Sequence, residues 1–197
     1  MSTRTFGDSV QRNADPRLLR GEGNFVDDIS LLGCLHAAFV RSNYARARIV
    51  SLDVSEARAH PDVIAVYTCD DIGECDQELP LLIPHPCIVG PKTQRPLARG
   101  DTYYLGQAIV MIVATDRYAA EDAALLVEVE YEPLAVEMDL EKAVADGAPL
   151  VHQDVPNNIA AHFIQESGDA DDAFSQAEHF TSIRVQVDRS TATPLEG

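Results

Sequence analysis

The stretch that decides the fold is Gln107-Ala-Ile-Val-Met-Ile-Val-Ala-Thr115, followed at once by Asp116-Arg-Tyr-Ala-Ala-Glu-Asp-Ala-Ala-Leu-Leu-Val127. An uncharged apolar run of this length is typical of a strand that is covered on both faces. Asp116 is a favourable N-cap, and the alanines that follow recur on one side of a helix through about Val127. The sequence therefore predicts a helix packed closely on a sheet.

The segment after this helix has the pattern of an edge strand. Val127, Val129 and Tyr131 alternate with Glu128, Glu130 and Glu132, and Pro133 ends the run. The helix is long enough to join the two strands in a right-handed β-α-β unit. Three glutamates so close together could serve acid/base catalysis, but alternation on one exposed face explains them without chemistry.

Three further strands are predicted upstream, at Leu35–Arg41, Arg46–Val54 and Val63–Thr68. Ser55 is expected to cap a short helix that Pro61 ends. Eight residues between the second and third strands are too few for an ordinary parallel crossover. Residues 73–100 contain five prolines and are predicted to be irregular and to form an interface.

The region from Asp139 onward looks incomplete. A short helix at Asp139–Asp146 is closed by Gly147, a second helix runs from the Asp169 cap to about Glu178, and Phe180–Val187 alternates as a strand. One helix and one strand cannot bury a core by themselves. The predicted fold class for the whole chain is α+β.

Composition excludes several classes of protein. The 197 residues are 46% hydrophobic, which is globular, and no apolar run is long enough for a membrane helix. The first 20 residues lack the apolar core of a signal peptide, so a cytoplasmic protein without membrane contact is expected. The net charge is −17, and residues 101–197 carry 19 acidic and 4 basic groups. Nucleic acid is therefore excluded as a partner.

The residues that could carry chemistry do not form recognisable sites. The four cysteines contain no C-x-x-C, and Gly21 and Gly23 lack the third glycine of a dinucleotide loop. His85 and Cys87 could share a metal, but Pro84 and Pro86 indicate an irregular loop instead. The other histidines are isolated from acids and nucleophiles, namely His36, His60, His152, His162 and His179. No catalytic, cofactor-binding or metal-binding residue is predicted.

Several motifs, in order and spacing, resemble the large subunit of molybdenum hydroxylases, the family of xanthine dehydrogenase, aldehyde oxidase and aerobic carbon monoxide dehydrogenase. The motifs are Gly21-Glu-Gly-Asn-Phe-Val-Asp-Asp28, Leu35-His-Ala-Ala-Phe-Val-Arg-Ser42, Ala45-Arg-Ala-Arg-Ile49, Tyr104-Leu-Gly-Gln107, Ala119-Ala-Glu-Asp-Ala-Ala124, Val129-Glu-Tyr-Glu-Pro-Leu134, Gly168-Asp169 and Ala173-Phe174. The resemblance implies an N-terminal extension at residues 1–19. Residues 20–135 would form an α/β hammerhead domain, a mixed sheet with packed helices. Residues 136–197 would be a linker and the incomplete start of a molybdopterin-binding domain.

The resemblance also implies a function for the chain. The whole enzyme would oxidise an aldehyde or an N-heterocycle with molybdopterin-bound molybdenum, iron–sulfur clusters and, in many members, FAD. This chain would supply structure and contacts to the remainder of the molybdopterin-binding subunit and to iron–sulfur and FAD subunits, and would be inactive alone. The family's molybdenum-site motifs have no match here, and Glu196, in a Pro-Leu-Glu segment, is interpreted as structural. The alternative is a non-catalytic interaction module that reuses the hammerhead fold.

Overall fold

The computed structural model describes residues 7, 9, 11–187 and 190. The chain divides into two compact units. The first unit is Leu35–Ala173, and the second is formed by the residues on either side of it. Glu196 lies outside the described residues.

The described part of the first unit contains two three-stranded sheets, with strand orders β1-β5-β3 and β4-β2-β6. Every strand pair is antiparallel. The strands are β1 (His36–Arg41), β2 (Ala47–Asp53), β3 (Val63–Tyr67), β4 (Asp101–Thr102), β5 (Ala108–Ala114) and β6 (Glu128–Pro133). The predicted α+β class is confirmed, whereas the mixed sheet within it is replaced by these two antiparallel sheets.

Strand β5 is the centre of the first sheet. Its uncharged residues pair with β1 on one side and β3 on the other, so that Ile112 lies between Ala38 and Val66. Ile109, Val110 and Ile112 are almost completely buried. The predicted central strand is therefore confirmed.

Helix α3 (Arg117–Leu125) packs on this sheet through alanines. The Asp116 carboxylate accepts a hydrogen bond of 3.0 Å from the Ala119 backbone N–H, which confirms the predicted N-cap. Ala120 and Ala123 are buried against the sheet. The helix ends two residues before the predicted Val127, whose side chain still packs against the core.

The predicted β-α-β unit is wrong. β6 pairs with β2 in the second sheet and does not return to the sheet of β5. Both edges of β5 are already occupied, so the strand after the helix pairs elsewhere. Val129 and Tyr131 of β6 pack against the core, while Glu128, Glu130 and Glu132 are exposed along a sheet edge, as the alternation predicted.

The predicted cap of the second helix is also wrong. Helix α2 spans Ser55–Ala59, and Ser55 is its first residue instead of its cap. The Asp53 carboxylate, two residues earlier, accepts a hydrogen bond of 2.8 Å from the Ser55 N–H. The side chain of Asp53, and not that of the predicted cap Ser55, therefore accepts a hydrogen bond at the start of this helix.

Residues 139–162 pack within the first unit. The short helix predicted at Asp139–Asp146 is confirmed as α4 (Leu140–Ala143), which ends earlier than predicted and has Asp139 as its N-cap. Arg46, directly before β2, donates a hydrogen bond to the Leu150 carbonyl. Asn158, in the left-handed region with φ 55°, accepts from the Val151 N–H and donates to the carbonyls of Ala143 and Pro149. Side-chain hydrogen bonds thus fix a segment that has little regular structure.

The second unit contains helix α1 (Asp15–Leu18) and a 3-10 turn at Val26–Asp28. Helix α5 (Ala170–Gln176) begins in the first unit and is preceded by Asp169, whose carboxylate accepts from the Asp172 N–H. The predicted strand at Phe180–Val187 is wrong, because these residues have no regular secondary structure. Alternation defines a strand only where another strand pairs with it, and the structure pairs none of the described residues with this segment. No described helix is both long and apolar enough to cross a bilayer.

Replacement of Ala123 by glutamate tests the packing of α3. Ala123 is fully buried against β5, so Ala123→Glu places an unpaired charge in the core and is expected to lower the free energy of unfolding by about 3–5 kcal/mol. Urea unfolding followed by circular dichroism measures the change. The control is Leu125→Glu on the same helix, where the side chain is 84% exposed, and it should change stability by less than about 0.5 kcal/mol. Equal stability of the two variants would contradict the packing described.

Candidate functional site

The long segment between β3 and β4 forms an arm, defined here as residues 79–91, on a charged base. At the base, Arg95 lies 3.1 Å from the Asp76 carboxylate and also donates to the Asp76 carbonyl at 2.6 Å. Arg99 pairs with the same carboxylate and, at 2.9 Å, with Asp70. Two guanidinium groups thus converge on Asp76, whose side chain is only 10% exposed.

The electrostatics of Asp76 keep it ionised. Burial alone would raise the pKa of this carboxyl, but hydrogen bonds and charge from Arg99 and Arg95 outweigh burial and lower the pKa. A carboxylate that stays charged holds both arginines. The base of the arm is therefore fixed by a charge-assisted network.

Hydrogen bonds close the arm above this base. The Leu79 N–H donates to the Gln94 carbonyl at 3.0 Å, and the Thr93 hydroxyl donates to the Leu79 carbonyl. The Tyr104 hydroxyl donates to the side-chain carbonyl of Gln94. The N-terminal end of the arm is therefore held to the residues that follow its C-terminal end. The backbone of residues 87–90 is held further by hydrogen bonds with Ala160 and His162.

The exposed side chains of the arm are apolar. Leu82 is 94% exposed and Ile83 is 79% exposed, and Val89 is also exposed. Prolines 80, 84 and 86 flank these residues and lack the N–H that a helix or a sheet ladder requires. Exposed leucine and isoleucine on an anchored loop are typical of a contact surface for another protein segment. The interface predicted for residues 73–100 stays a prediction.

A polar cleft of about 260 Å³ lies beside the base of the arm. Lys92 Nζ is 2.6 Å from Asp154 and 3.7 Å from Glu78, and the hydrogen bond to Asp154 raises the pKa of Lys92. The cleft is lined by Glu78, Lys92, Thr93, Gln94, Arg95, Arg99, Asp101, Tyr103, Gln107, His152, Gln153 and Asp154. Its basic side chains Lys92, Arg95 and Arg99 are paired with carboxylates of the same chain.

His152, for which the sequence offered no acid or nucleophile at a recognisable spacing, contacts an aromatic ring. Its ring stacks on Tyr103 with a centroid distance of 4.5 Å and an interplanar angle of 30°. Burial lowers the pKa of His152, and the charge of Lys92 lowers it further. Tyr103 is positioned by its own N–H, which donates to the side chain of Gln107 at 2.7 Å. No local sequence pattern signals this stack, because the two rings come from distant parts of the chain.

The described residues do not fit a metal or cluster site. They contain no group of three or more His, Cys, Asp and Glu side chains placed to hold a metal ion. His85 instead accepts a hydrogen bond of 3.2 Å from the Cys87 backbone N–H through Nδ1. Burial raises the pKa of the Cys69 thiol, which disfavours the nucleophilic thiolate. The donor set therefore does not match molybdenum or an iron–sulfur cluster.

Sequence comparison matches this chain to one segment of much longer large subunits. The family model for the aldehyde oxidase and xanthine dehydrogenase a/b hammerhead domain matches residues 20–135. The chain is 38% identical to the nicotine 6-hydroxylase large subunit of Paenarthrobacter nicotinovorans, over 97% of this chain and 23% of that subunit. It is also 38% identical to the carbon monoxide dehydrogenase large chain of Afipia carboxidovorans, over 97% of this chain and 24% of that one. The chain thus spans about a quarter of the length of these relatives.

Structural comparison gives the same result. The crystal structure of a Cu,Mo-CO dehydrogenase in its carbon monoxide reduced state matches with a TM-score of 0.67 and 36% identity. The match covers 87% of this chain and 22% of that one. The fold described above therefore occurs in that structure as one part of a much longer chain.

The stacked histidine gives a test of the cleft. Because the folded state lowers the pKa of His152 below the value near 6.5 of an unfolded histidine, folding favours neutral His152. Its contribution to stability is present above pH 6.5 and is lost as the pH falls through the folded pKa. NMR titration should give a midpoint below about 6.5 for His152, assigned with His152→Gln, and Lys92→Met should raise that midpoint. A midpoint in Lys92→Met equal to or lower than the wild-type value would contradict the electrostatic environment described.

Proposed function

This chain belongs to the family of the aldehyde oxidase and xanthine dehydrogenase a/b hammerhead domain, and we propose that it acts as the N-terminal portion of a large, molybdopterin-binding subunit of a molybdenum hydroxylase. In this role it contributes structure and subunit contacts and performs no chemistry itself. The whole enzyme would oxidise an aldehyde or an N-heterocycle in the cytoplasm. The proposal is supported by the relatives, which are large subunits about four times as long.

The observation that carries the structural role is the anchored apolar arm. Its base is fixed by Asp76 with two arginines, and its exposed residues are Leu82 and Ile83. A loop built for solvent would not need such anchoring, and its apolar residues would have no favourable surroundings. An arm that is held rigid before association loses less conformational entropy on binding. The arm therefore has the properties of a preorganised contact element.

The proposed division of labour places the cofactors on other segments. Molybdopterin with molybdenum, iron–sulfur clusters and FAD would be held by the remainder of the subunit and by partner subunits. The polar cleft supports this assignment, because each of its cations is already neutralised by a carboxylate of this chain. We propose the same domain layout as the resemblance implies, with the hammerhead at residues 20–135 and the start of the molybdopterin-binding domain after it.

The second candidate function is a free-standing interaction module. It is favoured by the way residues 139–162 pack on the first unit, since Arg46 and Asn158 fix this segment without help from another chain. A module of this kind would bind its partner without becoming part of an oxidoreductase. Assembly with an enzyme of the family separates the two candidates.

The test is complementation of a split relative. The Afipia carboxidovorans large chain is produced without the quarter that this chain matches, together with its partner subunits and the complete 197-residue chain. If the proposal is correct, the chain joins a complex that contains molybdenum, as shown by size-exclusion mass and metal analysis. Failure to join, while the relative's own excised segment joins, would favour the interaction module.

The arm variants should weaken this assembly. Leu82→Ser with Ile83→Ser removes exposed apolar surface from the arm and is expected to reduce the recovered complex at least tenfold without changing thermal stability. Leu125→Ser is the matched control, because Leu125 is equally exposed but lies on α3 away from the arm. Pull-down yield at fixed concentrations measures the effect. Equal yields for the two variants would mean that the arm is not a contact element.

The chain alone is expected to be catalytically silent. Since its described residues offer no ligand group for a metal, the purified chain should contain no stoichiometric molybdenum, iron or flavin. Elemental analysis and absorption spectra measure the content, and an artificial electron acceptor with an aldehyde measures turnover. Stoichiometric molybdenum or measurable turnover in the isolated chain would contradict the proposed division of labour.

A further inference from the structure

The first sheet has two faces with different surroundings. On the inner face, Ala38, Val110, Ile112 and Val66 belong to the clusters that pack around α3 and the core. The register places Phe39 opposite Met111, and Met111 opposite Tyr67. Because side chains alternate along each strand, these residues and their neighbours two positions away lie on the other side of the sheet. That outer face consists of Ala37, Phe39, Ala65, Tyr67, Met111 and Val113. Ile109 is the exception to the alternation: the register shift between Val40 and Arg41 leaves it without a pairing partner, and it is buried in the core cluster.

The outer face is apolar but only partly covered. Met111 and Val113 belong to the central strand and have neighbours on both edges, yet both are only half-buried. Phe39 is 40% exposed, and Ala37 is also exposed. A central strand whose side chains retain this exposure lacks a full covering layer. The apolar run of β5 is typical of a strand covered on both faces, so the covering of the outer face is incomplete.

Arg41 places a cation at the rim of the face. Arg41 lies over the Phe39 ring at 5.2 Å and donates to the Gly106 carbonyl at 2.9 Å. The guanidinium is thereby held at the edge of the face while the centre stays uncharged. This arrangement would favour a bound segment that is apolar where it covers the middle of the face. The same segment would place a polar or acidic group beside Arg41.

We propose that an apolar segment from the remainder of the large subunit binds to the outer face of the first sheet. This inference rests on the proposed function. The length of the relatives supports this occupant, because about three quarters of each large subunit lies outside the region that this chain matches. A second copy of the chain is disfavoured, since two chains of net charge −17 repel each other. The same charge disfavours an anionic membrane surface.

The split assembly described above tests this face with Met111→Lys. A lysine at the half-buried centre would face the apolar segment, so the affinity of the chain for the truncated Afipia carboxidovorans large chain should fall at least tenfold. Tyr118→Lys is the control, because Tyr118 is 77% exposed on α3, away from the outer face, and should change the affinity less than twofold. Ala37→Arg, at an exposed position on the edge strand, repeats the test if Met111→Lys lowers the thermal stability of the chain.

The outcomes separate this inference from the proposed function. If the wild-type chain joins the assembly and neither Met111→Lys nor Ala37→Arg weakens it, the outer face does not bind the apolar segment. The proposed function would stand in that case. If the wild-type chain does not join at all, the proposed function fails and this inference falls with it. A wild-type chain that forms dimers which Met111→Lys abolishes would show that a second copy is the occupant, and would overturn the proposal.

Discussion

The close approach of helix α3 to strand β5 is the constraint on which the first unit depends. Ala120 and Ala123 of the helix face the buried side of the sheet, where larger side chains would hold the two layers apart. Alanine loses no side-chain entropy on burial, so the contact costs little to order. Because the helix lies close, Ile112 and Val110 fill the space between the layers, and the second sheet completes the same core through Leu52 and Val129.

The arm is stabilised by a different kind of interaction. Its base depends on Asp76 between Arg95 and Arg99. In a chain of net charge −17, arginines attract many carboxylates, so a fixed pairing requires short range and partial burial. Asp76 provides both. The apolar residues of the arm can therefore remain exposed without collapsing onto the unit that carries them.

Local signals in the sequence predicted the parts of the fold that local interactions determine. The Asp116 cap, the alanine face of α3, the uncharged run of β5 and the alternation of β6 are each contained in a few consecutive residues. The partner of β6 was not predictable in this way, because pairing with β2 depends on both edges of β5 being occupied. The strand predicted at Phe180–Val187 was wrong for a related reason. Alternation describes the two faces of a strand and gives no information about its pairing partner.

The candidate site was less predictable than the fold. The irregular structure of the proline-rich segment could be predicted from its composition, but its anchoring could not. Asp76, Arg95 and Arg99 have ordinary sequence surroundings, and their convergence depends on how the segment returns to β4. The contact between His152 and Tyr103 was not predicted, because the two residues lie far apart in the sequence. When the residues of a site come from loops far apart in the sequence, no local spacing of residues predicts the site.

The composition of β5 also contains information about surroundings that this chain does not provide. A strand exposed to water on one face usually alternates apolar and polar residues, as β6 does with its glutamates. β5 does not alternate: Met111 and Val113, on the less covered side, are as apolar as Val110 and Ile112 on the buried side. An uncharged outer face is expected of a strand that a further layer covers, since an exposed apolar face would otherwise favour aggregation. β5 thus has the composition of a strand with two covered faces, and β6 has that of a strand with one.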